Sequence, residues 1–282
     1  MRWSGGRQSG NVEDRRGLGP VGVGGIGIGG VVIALIGYFV FGIDPSQTVG
    51  ALQQTGPTQQ QEGTRGAPTD DAGKFVDVVG TSTTDVWSKL FADEGKRYES
   101  PAAIVLYDQS TVTGCGLGQA AMGPFYCPTD QKVYLDLAFW RDLETRFGAK
   151  GDFARAYVIA HEIGHHVQQL NGQADRAGRM GSHGETSGSV RLELQADCYA
   201  GVWAKHAGPM SSGAIAIDGA DIKDGMTAAA AVGDDALQRQ QSGQVMPDSF
   251  THGTSAQRVR WFTKGYDSGA PGACETFGAS SL

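Results

Sequence analysis

The sequence predicts an α+β fold. Two patterns predict it: short runs of β-branched and aromatic residues early in the patterned part of the chain, and long helical periods after them. A third observation says where the chemistry lies, because one of those helices carries His161-Glu162-Ile163-Gly164-His165. A small sheet followed by helices bearing the functional residues is an α+β arrangement.

The strand signals come first. Residues 102–107 (AAIVLY) form a short apolar run and read as a buried strand; 125–127, a Pro-Thr-Asp turn and 132–136 read as strand, turn, strand. Before them, 84–98 reads as an amphipathic helix with Val86, Trp87, Leu90 and Phe91 on one stripe. After them, 137–147 reads as a helix ending at Gly148. The motif helix follows, with Asp152 as its capping residue and Asn171-Gly172 as its stop. Residues 171–188 read as a loop on composition, and as the natural lid if one exists. A helix is expected over 189–205, stopped by Gly208-Pro209, and another alanine-rich one within 215–237. Thr254 or Ser255 can cap a last helix running through Trp261.

The 282 residues carry a formal net charge of −7. Such an acidic balance argues against nucleic acid as a partner. Residues 17–43 contain no charged side chain, and 21–43 is long enough to cross a bilayer, which takes about 20 apolar residues. Glycine is tolerated in such spans, and Gly25 and Gly29 make one small-xxx-small pair. Arg2, Arg7, Arg15 and Arg16 precede the stretch, and no Lys or Arg follows until Arg65. The positive-inside rule then expects 1–20 in the cytoplasm, 21–43 as a transmembrane helix, and all that follows outside. A cleaved signal peptide is the rival, but its apolar region is usually only about 7–15 residues. Residues 44–73, rich in Gln, Thr, Gly and Pro, read as a flexible tether, which leaves 74–282 as the folded domain.

On a helix, residues four apart share a face, so His161 and His165 point the same way and can hold one Zn²⁺, with Glu162 beside them as a general base. The bland alternative is a surface helix with three histidines, His166 being the third. A catalytic zinc site usually has three protein ligands and one open position. The metzincin spacing would place a third His at 171, but that residue is Asn171. His183, Glu185, Glu193 and Asp197 remain as candidates. His183 and Glu185 lie in a glycine-rich loop that holds geometry poorly. Glu193 and Asp197 lie four apart on the next helix, so one can be the third ligand while the other accepts the second ring N–H of a ligand histidine.

H-E-x-x-H followed by E-x-x-x-D on a later helix resembles the gluzincin arrangement. The chain is similar to the bacterial neutral zinc metallopeptidases in particular. The stretches that carry this likeness include Asn11 to Arg16, Gly123 to Pro128, Val133 to Asp136, Ala156 to Gln168, Glu193 to Cys198, Gly233 to Asp235 and Pro247 to Ser255. The resemblance implies a zincin-like fold behind the anchor, a zinc cofactor and peptide hydrolysis on a peptide or protein substrate. With the anchor expected at 21–43, the location expected is a bacterial membrane, single-pass, with the catalytic domain extracytoplasmic. In the gluzincins a later S/T-H-P with a downstream Arg helps bind the transition state. Here Thr251-His252 matches, Gly253 replaces the proline, and Arg258 falls at a comparable place. His252 and Arg258 are therefore expected with Glu162 as catalytic residues. Asp234 and Asp235 match the family without a chemical role beyond a helix cap.

Outside the cytoplasm disulfides persist. Cys115 and Cys127 flank a short glycine-rich segment and are expected to pair, leaving Cys198 with Cys274; a cysteine zinc site is the competing idea, which the spacings disfavour. The expected mechanism uses a metal-activated water held at His161, His165 and Glu193, with the substrate extended along an edge strand, taken as 132–136. The alternative function is a catalytically silent, zinc-stabilised binding module of the cell envelope.

Overall fold

A computed structural model describes residues 1–18, 62–119 and 123–282. The expected anchor, 21–43, lies outside these residues, as does most of the expected tether. Among the described residues, no helix is long and apolar enough to cross a membrane.

The fold is α+β. Strands β1 (Val12–Asp14), β2 (Thr64–Arg65), β3 (Ala103–Tyr107), β6 (Phe125–Cys127) and β7 (Lys132–Asp136) form one sheet in the order β2-β1-β3-β7-β6. β1, β3 and β7 run parallel, and β2 and β6 are antiparallel edges. β4 (Ser110–Thr113) and β5 (Gly116–Gln119) form a separate hairpin. The helices are α1 (Asp71–Asp93), α2 (Ala138–Thr145), α3 (Asp152–Leu170), α4 (Gln173–Gly178), α5 (Gly188–Met210), α6 (Gly219–Ala231), α7 (Asp234–Ser242) and α8 (Ser255–Ser268).

Alternation along β3 and β7 sends Ile104, Leu106, Val133 and Leu135 into the main core with the helices. Ala103, Val105, Tyr107 and Tyr134 go to a smaller cluster on the other face. Both faces are covered, which is why 102–107 reads as a continuous apolar run rather than an alternating one. Helices α3 and α5 lie against each other at the centre, where a Cβ on Gly164 would sit 3.2 Å from the Ala196 Cα. The glycine inside the pentapeptide thus sets how closely the two chemistry-bearing helices approach.

Several expected boundaries differ. Residues 1–20 were expected to form a cytoplasmic tail apart from the domain; in its described part this segment supplies β1, an inner strand of the sheet. Its three residues alternate too briefly, and with too many charges, to show a strand period. Its charges are buried in ion pairs instead: Arg15 Nε donates to Glu13 Oε1 at 2.7 Å and Lys132 Nζ to Glu13 Oε2 at 2.8 Å. The end of the expected tether is likewise structured, as β2 and the start of α1, whose Asp70 cap accepts from the Gly73 N–H at 3.0 Å. The folded unit therefore begins well before Lys74. The loop expected over 171–188 contains α4, and α5 runs on through Pro209 to Met210. The strand expected as the sheet edge, 132–136, is internal: β7 pairs with both β3 and β6. The last helix is capped by Thr254, in a reciprocal capping box with Gln257.

Both expected disulfides are present. Cys115 and Cys127 lie with Cα atoms 5.8 Å apart, and Cys198 and Cys274 at 5.6 Å. The first ties the β4–β5 hairpin to edge strand β6. The second ties the C-terminal tail to α5, one residue beyond Asp197.

Candidate metal centre

Helix α3 presents His161 and His165 on one face, and α5 brings Glu193 against them. One ligand atom from each of the three lies within 4.8 Å of the others. His161 Nε2 is 3.1 Å from Glu193 Oε2, and His165 Nε2 is 3.4 Å from Glu193 Oε1. The two rings are nearly perpendicular, at 89° and 4.8 Å between centroids, so their Nε2 atoms converge without stacking.

The far side of each ring is held. Asp197 Oδ1 lies 2.9 Å from His161 Nδ1. Gln168 Oε1 lies 2.8 Å from His165 Nδ1, while the Gln168 amide nitrogen donates to the Leu192 carbonyl at 2.7 Å. That second bond fixes the amide with its oxygen toward the ring, so His165, like His161 on Asp197, holds a proton on Nδ1 and presents Nε2 to Glu193. Two imidazole nitrogens, both already oriented from behind, with one carboxylate make the donor set that suits zinc at a catalytic site.

Asp197 is completely buried and heavily partnered. Tyr157 Oη donates to it at 2.5 Å, and Arg258 forms a two-pronged pair through Nε at 2.8 Å and Nη2 at 2.9 Å. Burial alone would raise the Asp197 pKa, but Arg258 and His161 hold it below the usual carboxylate range. Burial likewise disfavours charge on His161, yet Asp197 and Glu193 push it up to about 10. Glu193 is held low, against its burial, by His165, His252 and His161. A cation entering here therefore competes with a proton for the same lone pair.

The cleft over these residues has a volume of about 670 Å³. Glu162, His252 and Arg258 lie on its wall beside the three candidate ligands, and Phe125, Tyr126, Phe139 and Phe147 give it an apolar side. The three expected ligands and the three expected catalytic residues thus line one cleft. Arg258, expected as a catalytic group, reaches the cleft wall but is 3% exposed and clamped on Asp197. His252 faces the cleft from a loop bracketed by Asp234. One Asp234 oxygen accepts the backbone N–H groups of Thr251, His252 and Gly253 at 2.8, 2.6 and 2.9 Å, and the other is 3.3 Å from His252 Nδ1. Gly253 takes φ +86°, a value closed to proline, which accounts for glycine at this place in the motif. Asp235 accepts from the Ser255 N–H at 2.7 Å. The two aspartates thus hold the loop and the start of α8; the N-cap of α7 is Gly233.

Three positions were missed on sequence. Gln168 closes one of the stretches of family likeness but was given no role. Tyr157 lies one helical turn before His161, a spacing that was available as a signal. His166, the third histidine, points away: its Nε2 meets the Glu99 carbonyl at 2.7 Å and its Nδ1 meets Tyr126 Oη at 3.0 Å. Burial lowers its pKa, and it orders a tyrosine on the cleft wall. His183 and Glu185, the other third-ligand candidates, stay exposed in the loop.

A small sheet with an H-E-x-x-H helix and a glutamate from a later helix makes an α+β fold around a candidate metal centre. The chain belongs to the family described as "Putative neutral zinc metallopeptidase", whose model matches residues 1–277. It is 45% identical to the uncharacterized protein YpfJ of Escherichia coli K12, over 99% of this chain and 100% of that one. It is 44% identical to an uncharacterized protein of Mycobacterium bovis, over 75% of this chain and 74% of that one. No solved structure matches.

Proposed function

We propose that the protein is a zinc-dependent peptidase that cleaves peptide bonds within protein or peptide substrates. The observation that carries this reading is the convergence of His161 Nε2, His165 Nε2 and a Glu193 carboxylate oxygen, with Glu162 on the same cleft. His161, His165 and Glu193 would hold the zinc. Bound there, the metal supplies Lewis acidity and makes water a nucleophile near neutral pH. Glu162 takes the proton from the attacking water and passes it to the leaving amine, a role typically worth about 10²–10⁴ in rate. His252 donates to the tetrahedral oxyanion, with its Nδ1 side turned toward Asp234 and the Thr251 hydroxyl. Arg258 positions Asp197 and, through it, His161.

The substrate would lie extended along β6, the sheet edge that borders the cleft, by backbone pairing. The apolar wall formed by Phe139 and Phe147 favours apolar side chains beside the scissile bond. The two disulfides support a location outside the cytoplasm, and the uncharged stretch 21–43 supports attachment to a bacterial membrane.

The test is metal content and turnover of the full chain, with Glu162→Gln and Glu193→Ala beside the wild type. One zinc per wild-type chain, lost in Glu193→Ala but kept in an inactive Glu162→Gln, is the expected result. A folded wild type that takes up no zinc overturns the reading. Zinc without turnover against denatured protein substrates would leave a binding module instead.

A further inference from the structure

We infer that the two flanks of the stretch 21–43, residues 1–18 on one side of it and the metal-site helices on the other, lie on the same side of any membrane the protein meets. The argument rests on how the two flanks of that stretch are built into one body.

β1 is flanked on both sides. It runs parallel to β3, with Val12, Glu13 and Asp14 opposite Ile104, Val105 and Leu106, and antiparallel to β2, with Asp14 opposite Thr64. Removing it would strip the hydrogen-bonding edge of β3, all five of whose residues are buried. It would also leave Lys132, itself buried, without the Glu13 carboxylate. A buried charge that loses its partner is strongly destabilising.

The residues before β1 are fastened along their length. Trp3 Nε1 donates to Asp152 Oδ2, at the start of the motif helix, at 2.9 Å, and the Trp3 ring meets Phe75 edge-on at 5.2 Å. The Gly10 N–H donates to Asp77 Oδ2 on α1 at 3.1 Å, and Asn11 Nδ2 to the Pro101 carbonyl at 2.9 Å. These contacts reach α1, α3 and the entry to β3, so 1–18 is a component of the domain.

The chain therefore leaves and re-enters the domain at one place. Arg16 spans the gap, with Nη2 at 2.6 Å from both Asp14 and Asp70. An odd number of crossings between Leu18 and Glu62 would put β1 and β2 on opposite sides of the bilayer. Two crossings would need a second apolar stretch, and 44–61 is a Gln-, Thr- and Gly-rich run whose backbone the hydrocarbon core does not accept.

The four arginines that suggested a cytoplasmic N-terminus are all engaged by the fold. Arg2 Nη2 donates to the Gly213 carbonyl at 3.3 Å, Arg7 pairs with Asp85, Arg15 is buried against Glu13, and Arg16 joins Asp14 to Asp70. As partners within the sheet and its surroundings, they stop being evidence for a separate cytoplasmic tail.

The inference depends on neither zinc nor turnover. Its test uses the full chain in sealed membrane vesicles. The four native cysteines are paired. Ser4→Cys and Ser280→Cys, both at exposed positions, then each add one thiol for a membrane-impermeant maleimide. The expected result is that both are labelled, or both protected, in vesicles of one orientation. Labelling of one while the other needs permeabilisation overturns the inference. A second measurement pairs Asp14→Cys with Thr64→Cys in a chain carrying a protease site within 44–61. After cleavage the fragments should stay joined until reduced. Free fragments, with the two thiols labelled from opposite faces, would overturn it as well.

Discussion

Asp197 holds His161 through one oxygen while taking the fork of Arg258 and the hydroxyl of Tyr157. A carboxylate so placed makes the imidazole a better ligand and fixes its tautomer, and losing such a partner typically weakens metal binding by about 10–100-fold. Asp197→Asn is expected to do this and also to lower stability, because buried Arg258 loses its counter-charge, so unfolding is measured beside affinity. Gln168→Ala is expected to act in the same direction on His165. The check is zinc affinity by competition with a chromophoric chelator, for each variant and the wild type. Unchanged affinity in both would mean that the orienting bonds carry no weight. The pentapeptide made His161, Glu162 and His165 legible because their spacing alone puts them on one helical face. Gln168 was not legible: its role depends on an amide turned by the Leu192 carbonyl of another helix.

At the scale of elements, the site is a meeting of α3, α5 and the loop before α8, and that loop depends on α7. Asp234 gathers three consecutive N–H groups of the loop, so His252 is placed by a carboxylate from the preceding helix. Asp234→Ala would leave these donors without their acceptor. The expected outcome is a fall in kcat of about 10–10³, up to the loss from removing an oxyanion donor outright, with zinc content and KM nearly unchanged. Steady-state kinetics beside metal analysis decides it; loss of zinc would show that the loop supports the ligands instead. The elements themselves were largely legible. The strands at 102–107, 125–127 and 132–136 and the motif helix follow from apolar runs, caps and stops. β1, β2 and the first half of α1 were not. β1 and β2 are too short to show a period, and the start of α1 was masked by the Gly- and Thr-rich composition around it.

At the scale of the whole molecule, the N-terminal strand and the metal-bearing helices belong to one cooperative unit, and Glu13 shows how they are joined. Burial opposes its charge, but hydrogen bonds from Lys132, Arg15 and the Gly63 N–H overcome that cost and hold its pKa below the ordinary 4.5. Its unfolded pKa is then the higher of the two. The stabilisation is complete above about pH 4.5 and is lost as pH falls through the lower folded value. Glu13→Gln would leave Arg15 and Lys132 without their counter-charge, and the expected cost near neutral pH is about 3 kcal/mol. Below the folded pKa the wild-type carboxyl is itself protonated, so wild type and variant should converge in strongly acid solution. Urea unfolding at several pH values, followed by tryptophan fluorescence, checks both the gap and its closure. Because Trp3 sits on Phe75 and Asp152, release of the N-terminal segment and loss of the helical core should fall on a single transition. A separate early transition would show that β1 is docked on a domain that folds without it.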